Sequence, residues 1–129
     1  MDRMRSMLFS PANNPKMYLK APIFKPDCIL FDLEDSIAYS EKDAARDLLC
    51  EAVKALDFGS SNVCVRVNSL RTQFCEHDIK AIVPAGIRFI RLAMCESKDD
   101  VKQMDQMLTE VEKSNGIEAG SVKIQCSIE

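Results

Sequence analysis

At 129 residues, with 47% apolar residues and a net charge of -3, the chain has room for one domain with a real core. The acidic balance and the lack of any clustered basic patch exclude a general nucleic-acid binder, and no stretch approaches the roughly 20 apolar residues of a membrane span. Arg3 and Arg5 are followed only by Met7 to Phe9 before Ser10 and Pro11, too short for a signal segment, so a soluble cytoplasmic protein is expected.

Arg5 to Ser10 reads as a first short strand, ended by the turn residues Pro11 to Asn14. Pro15 suits a first helical turn with Asn14 as cap, and predicts a short helix over Lys16 to about Ala21. Next comes DCILFDLEDSIAY, Asp27 to Tyr39, in which the apolar run Cys28 to Phe31 leads straight into Asp32, Glu34 and Asp35. Apolar residues at consecutive rather than alternate positions suit a strand buried on both faces, as in a parallel sheet covered by helices.

Ser40 followed by Asp43 resembles a capping box, and Ala45, Leu48, Leu49, Ala52, Val53 and Leu56 recur at helical spacing, so Glu41 to about Leu56 is predicted as a helix ended by Gly59. Asn62 to Val67 reads as a third strand with Arg66 near its C-terminal end. Thr72 to Pro84 carries Phe74, Ile79, Ile82 and Val83 on one helical face, with Gly86 as terminator, and Arg88 to Met94 is a fourth strand. Ser97 with Asp100 repeats the capping pattern before a long helix to about Asn115, and Val122 to Ile128 is a fifth strand.

Six cysteines, at 28, 50, 64, 75, 95 and 126, form no CxxC pair and mostly sit inside apolar runs. They read as small buried hydrophobes rather than a disulfide or zinc framework. His77, the single histidine, has no second ligand at metal-binding spacing and reads as a surface residue of a helix.

Five strands alternating with four helices predict an α/β protein with parallel right-handed crossovers, either a closed eightfold barrel or an open doubly wound sheet. Neither GxGxxG nor GxxxxGKS/T occurs, so the nucleotide-binding forms of the open sheet lose support. In either architecture the chemistry belongs at the C-terminal ends of the strands. The candidates there are Asp32, Glu34 and Asp35 after the second strand, Arg66 and Asn68 after the third, and Glu129 after the fifth. Oxygen ligands of this kind suit Mg2+, which accepts one or two carboxylates and keeps waters. Arg66 would grip a substrate carboxylate by its planar fork. The same residues also admit a purely structural reading, with the acids capping a helix and Arg66 pairing a neighbouring carboxylate. DLEDS further resembles the DxDxT/V loop of phosphotransferases, but position 34 is Glu.

The strings RSMLFSPANNPKM, DCILFDLEDSIAYSEKDAARDLL, VCVRVNSL, AGIRFIRLAMCES and GSVKIQCSIE closely resemble the citrate lyase β family, within the citryl-CoA and malyl-CoA lyase group of Mg2+-dependent, aldolase-like TIM barrels. The likeness covers essentially the whole chain, and DLEDS followed by EKDAAR is its most specific part. The resemblance implies that residues 1–129 are the N-terminal five strands and four helices of a (β/α)8 TIM barrel, a truncated lyase domain. It also implies cleavage of a citryl thioester, on acyl carrier protein or CoA, to oxaloacetate and an acetyl thioester. By the same resemblance Glu129 binds Mg2+, and Arg66 and Glu34 are catalytic and substrate-binding. Asn68 joins them at the substrate, and Asp32 and Asp35 stand behind them. The expected partners are other citrate lyase subunits and, at full length, further copies of the chain, with no nucleic acid or membrane; a malyl-CoA-type or other 3-hydroxyacyl-CoA lyase and a non-catalytic subunit are the alternatives.

The sequence departs from the family pattern in two places. Ala93, Met94, Cys95 and Glu96 stand where relatives commonly read PKTE, so a lysine near the mouth of the site is missing. Pro11, Ala12, Asn13 and Asn14 replace PGNN. In relatives a second metal carboxylate and the rest of the barrel lie beyond the position of Glu129. Without them the first and fifth strands are expected to be open edges, with poor solubility or self-association and no activity of these residues alone.

Overall fold

Strands buried on both faces and helices apolar on one face can be satisfied only by layering, and the computed structural model, which describes residues 3–128, has that arrangement. Five strands, β1 (Met7–Pro11), β2 (Cys28–Asp32), β3 (Asn62–Val67), β4 (Phe89–Leu92) and β5 (Lys123–Cys126), alternate with four helices, α1 (Pro15–Lys20), α2 (Lys42–Ala55), α3 (Phe74–Ala85) and α4 (Lys98–Ser114). The strands are all parallel and lie in the order β1-β2-β3-β4-β5. A doubly wound sheet reverses direction at a switch point. Here every crossover moves to the next strand in the same direction, which is how a barrel is wound. β1 and β5 are the outer strands of this sheet.

β2 sits at the centre of the packing because all five of its residues are buried. On its helix-facing side Phe31 stacks on Tyr18, with ring centroids 4.3 Å apart, and meets the edge of Phe58 at 5.8 Å. Ile29, Val65 and Ile90 continue that layer against Leu49, Ile79, Ile82, Met104 and Leu108. The opposite face carries a smaller cluster of Cys28, Leu30 and Cys64, with Met4, Met7 and Phe89 against it. Phe9 remains 45% exposed on that second face, next to the charged groups described below. Five of the six cysteines are buried and free, Cys126 being exposed, and His77 is exposed on α3.

β3 spans the residues the sequence predicts, and Gly86 closes α3 with φ 122, a conformation that side chains rarely adopt. Ser97 and Asp100 form the predicted reciprocal capping box of α4, and Asn14 caps α1 through Lys16 N–H. Ser40 does not cap α2. Tyr39–Glu41 form a 3-10 turn, Glu41 precedes the helix without a side-chain bond, and α2 starts at Lys42. The predicted box fails because the chain before α2 is already held from the β2 side, where Lys42 Nζ donates to the carbonyls of Leu33 and Glu34 at 3.1 and 2.8 Å. β4 and β5 are shorter than their apolar runs, although Ser127 N–H to Leu92 O and Cys95 N–H to Ser127 O prolong their pairing by two bonds.

Candidate active site

The parallel register sets Asp32 beside Arg66 and Arg66 beside Arg91 at the C-terminal ends of β2, β3 and β4. Asp32 is fully buried, and its carboxylate receives a fork from Arg66: Nε to Oδ1 at 2.6 Å and Nη2 to Oδ2 at 2.9 Å. Three donors of the following loop complete the two oxygens, Glu34 N–H on Oδ1 at 3.0 Å, and the Ser36 N–H and hydroxyl on Oδ2 at 2.9 and 2.5 Å. Asp32 therefore anchors both Arg66 and the turn that carries Glu34. Burial alone would make Asp32 hold its proton, but the Arg66 fork, the Ser36 hydroxyl and the two loop amides outweigh it and keep the carboxyl down at about 2.

Arg66 is directed further by its surroundings. Its Nη1 lies 3.5 Å from Glu34 Oε1, and its guanidinium stands 5.0 Å over the ring of Phe9. The same ring is 5.9 Å from the Arg91 guanidinium, which bonds Gln125 Oε1 at 2.9 Å and Met7 Sδ at 3.3 Å. Phe9 and Arg91 carry no sequence signal that would have marked them. The β3–β4 register puts Arg91 beside Arg66, and the curl of the sheet brings Phe9 of β1 against both guanidiniums.

Glu34 is mostly buried, its side chain 13% exposed, while Asp35 is exposed. Burial first, then the adjoining Asp35 carboxyl, with the charges of Asp35 and Asp32 added against the pull of Arg66, push Glu34 up to about 7. At neutral pH this carboxyl exists in both protonation states. The shift predicts a pH dependence of stability. A carboxyl whose folded value exceeds its ordinary value near 4.5 binds more protons folded than unfolded, so its contribution to stability falls as pH rises from about 4.5 to about 7. Glu34→Gln is expected to flatten that part of the profile. Urea midpoints at pH 5 and pH 8 should fall further in the parent protein than in the variant, and equal falls would contradict the assignment.

Asn68 reaches the same rim, but its amide protons are engaged: Nδ2 donates to Leu33 O at 3.0 Å and to Asp78 Oδ2 at 2.7 Å, and the residue is 2% exposed. Glu129 lies outside the described residues. A cleft of about 510 Å3 opens beside the acidic loop, its lining including Glu34, Asp35, Lys42, Asn68, Tyr39, Phe74 and Met94. Met94 has φ 51, a left-handed conformation that costs a non-glycine residue about 1 kcal/mol or more. Arg71 fastens it by donating to Met94 O at 3.2 Å and to Glu96 at 3.1 Å. The structure thus brings Asp32, Glu34, Arg66 and Asn68 to one edge of the sheet, with Asp35 on the solvent side of the same loop. Among the described residues no group of three His, Cys, Asp or Glu side chains is arranged to hold a metal.

Such a rim offers a guanidinium for an oxyanion and a carboxyl able to hold or release a proton near neutrality. Comparison with known proteins gives that chemistry a context. The profile of the HpcH/HpaI aldolase/citrate lyase family matches residues 5–129. The chain is similar to citrate lyase subunit beta of Leuconostoc mesenteroides subsp. cremoris, 44% identical over 125 residues that cover 97% of this chain and 41% of the relative. It is also similar to the L-malyl-CoA/beta-methylmalyl-CoA lyase of Cereibacter sphaeroides, 34% identical over 115 residues that cover 87% of this chain and 36% of the relative. Among solved structures it resembles the citrate lyase beta subunit from M. tuberculosis complexed with oxaloacetate and magnesium, with a TM-score of 0.74, 24% identity, and coverage of 100% of this chain and 50% of that one. The chain spans about two-fifths of the length of these curated relatives.

Proposed function

Because this chain belongs to the HpcH/HpaI aldolase/citrate lyase family, we propose that it serves a Mg2+-dependent carbon-carbon lyase, the citrate lyase β subunit, which cleaves a citryl thioester to oxaloacetate and an acetyl thioester. The observation that supports this reading is the Asp32–Arg66–Glu34 arrangement: a guanidinium fixed from behind by a buried carboxylate, with a proton-holding carboxyl 3.5 Å away. In the cleavage, the bond between the carbinol carbon and the thioester-bearing methylene breaks. The carbinol hydroxyl loses its proton as it becomes the keto group of oxaloacetate, and the released methylene gains one. Arg66, its Nε and Nη2 held by Asp32, presents Nη1 to the carboxylate next to the carbinol. Glu34, near pH 7 in both protonation states, takes the hydroxyl proton.

The residues present fit a magnesium site. The donors are oxygens only, and the crowding of Glu34 by Asp35 that raises its proton affinity is relieved equally well by a divalent cation. Glu129 would hold the ion, with Glu34 as a further oxygen donor. When bound, Mg2+ supplies Lewis-acid stabilisation of the negative oxygen formed as the carbon-carbon bond breaks. The thioester comes from acyl carrier protein or CoA, other citrate lyase subunits and further copies of the chain are the protein partners, and the reaction runs in the cytoplasm. The rim formed by Glu34 and Arg66 is expected to bind the keto acid.

The likeness to malyl-CoA lyases supports a second reading, in which the acyl group is malyl rather than citryl. Calorimetric titration with Mg2+ present separates the two, since the keto-acid product is oxaloacetate in one case and glyoxylate in the other. The citryl reading predicts that oxaloacetate binds more tightly than glyoxylate. The reverse order would favour the malyl reading, and binding of neither would remove the lyase assignment.

A further inference from the structure

Behind the rim lies a buried polar network in which the lyase reading assigns no role to Asp78 or Arg46. Asp78 on α3 is 1% exposed and accepts three hydrogen bonds: Arg46 Nε on Oδ1 at 2.9 Å, and Asn68 N–H and Nδ2 on Oδ2 at 3.1 and 2.7 Å. Arg46 belongs to α2, is itself 8% exposed, and donates its Nη2 to Asp43 Oδ1 at 2.7 Å. Asn68 then passes its second amide hydrogen to Leu33 O at 3.0 Å, and Lys42 Nζ meets that carbonyl and Glu34 O from the other side.

The path is continuous from two outer helices to the backbone of the acidic loop. A buried carboxylate and guanidinium stabilise little as a bare pair, because desolvation offsets most of their attraction. What such a pair supplies when every donor is satisfied is a fixed geometry. In this molecule the fixed element is the Leu33–Glu34 peptide, and the loop bonded to it leaves β3 two residues after Arg66. Glu34 sits on the loop after β2 and Arg66 near the end of β3, so their separation depends on how that loop is held against the end of β3. Asp32 ties the two directly, and the Asp78–Asn68–Leu33 chain adds a second side-chain link, from the loop after β3 to the Leu33 carbonyl.

We propose that Asp78 is a positioning residue: it clamps the loop after β3 to the loop after β2 through Asn68, and so sets Glu34 against Arg66. The function it serves rests on the lyase reading, but the clamp itself can be measured without any ligand. Asp78→Asn places an amide against the Asn68 amide and disturbs the clamp. Leu108→Ala, in the core of α4 and 2% exposed, is the stability control because it takes no part in these hydrogen bonds. Amide hydrogen exchange in the 129-residue chain reads both variants. Expected is a loss of protection at Leu33, Glu34 and Ser36 in Asp78→Asn of about tenfold or more beyond any change in global unfolding, with no such local loss in Leu108→Ala. A uniform change in both variants would overturn the proposal. If Asp78→Asn does not fold, Asn68→Ala removes the same link while keeping the Asp78–Arg46 pair, and unchanged protection at 33–36 in that variant would overturn it equally. Should the local loss appear while the parent protein fails to bind oxaloacetate, the lyase reading falls and the clamp stands.

Discussion

Replacing Asp32 by alanine is expected to lower the stability of the folded protein by about 3–5 kcal/mol, the usual effect of removing one member of a buried ion pair. The size follows from what is stranded. Arg66 loses both hydrogen bonds of its fork in a position where its side chain is only 15% exposed, and Glu34 N–H, Ser36 N–H and the Ser36 hydroxyl lose their acceptor. Asp32→Asn keeps the shape and one acceptor oxygen but not the charge, so its loss should be smaller. Urea unfolding at pH 7 checks both variants, and a loss below about 1 kcal/mol for alanine would mean that the pair is no more than a surface contact. Because Asp32 sits far below its ordinary pKa, this stabilisation is present at neutral pH and is lost as pH falls from near 3.8 toward 2.

Arg66→Lys is the second large effect, and it separates recognition from folding. Lysine keeps the positive charge beside Asp32 and Glu34, but its single ammonium cannot both replace the fork on Asp32 and leave a donor for a substrate carboxylate. Losing one charge-assisted hydrogen bond to a bound carboxylate costs about 1.5–3 kcal/mol, which is about ten- to a hundredfold in affinity for oxaloacetate. Stability should fall less than in Asp32→Ala, since no charge is left alone. Calorimetry beside urea unfolding reads the two quantities, and an affinity unchanged by the substitution would place the keto acid away from Arg66.

Much of this arrangement can be read in the sequence, for reasons visible in particular residues. β2 is legible because Cys28 to Phe31 is apolar without alternation, which only a strand covered on both faces explains, and its acids follow at the strand end where the topology needs them. β3 and Arg66 are legible from β-branched composition, and α4 from its capping box. Ser40 misleads because a cap pattern is a local signal, whereas the start of α2 is set by Lys42 reaching back to the carbonyls of the β2 loop. Asp78 and Arg46 look like ordinary charges on helices. Nothing near them in sequence shows that they meet 32 residues apart inside the protein. Phe9 and Arg91 are invisible for the same reason, Arg91 reaching Arg66 through the β3–β4 register and Phe9 through the curl of the sheet. Asn68 is recognisable as a rim residue, but its engagement by Leu33 and Asp78 depends on the packing of α3. The choice between barrel and doubly wound sheet is also beyond the sequence pattern. It is decided by strand order, which follows from long-range pairing.

The account depends on side chains from separate strands meeting around one small oxyacid. The most direct test labels the arginine side chains with 15N and titrates oxaloacetate with Mg2+ present, following the Nε resonances together with the backbone amides of residues 33–36. The account predicts that Arg66 Nε and those amides shift along a single saturating curve while Arg5 and Arg88 stay in place. Saturable binding that leaves Arg66 and the 33–36 loop unmoved would contradict it.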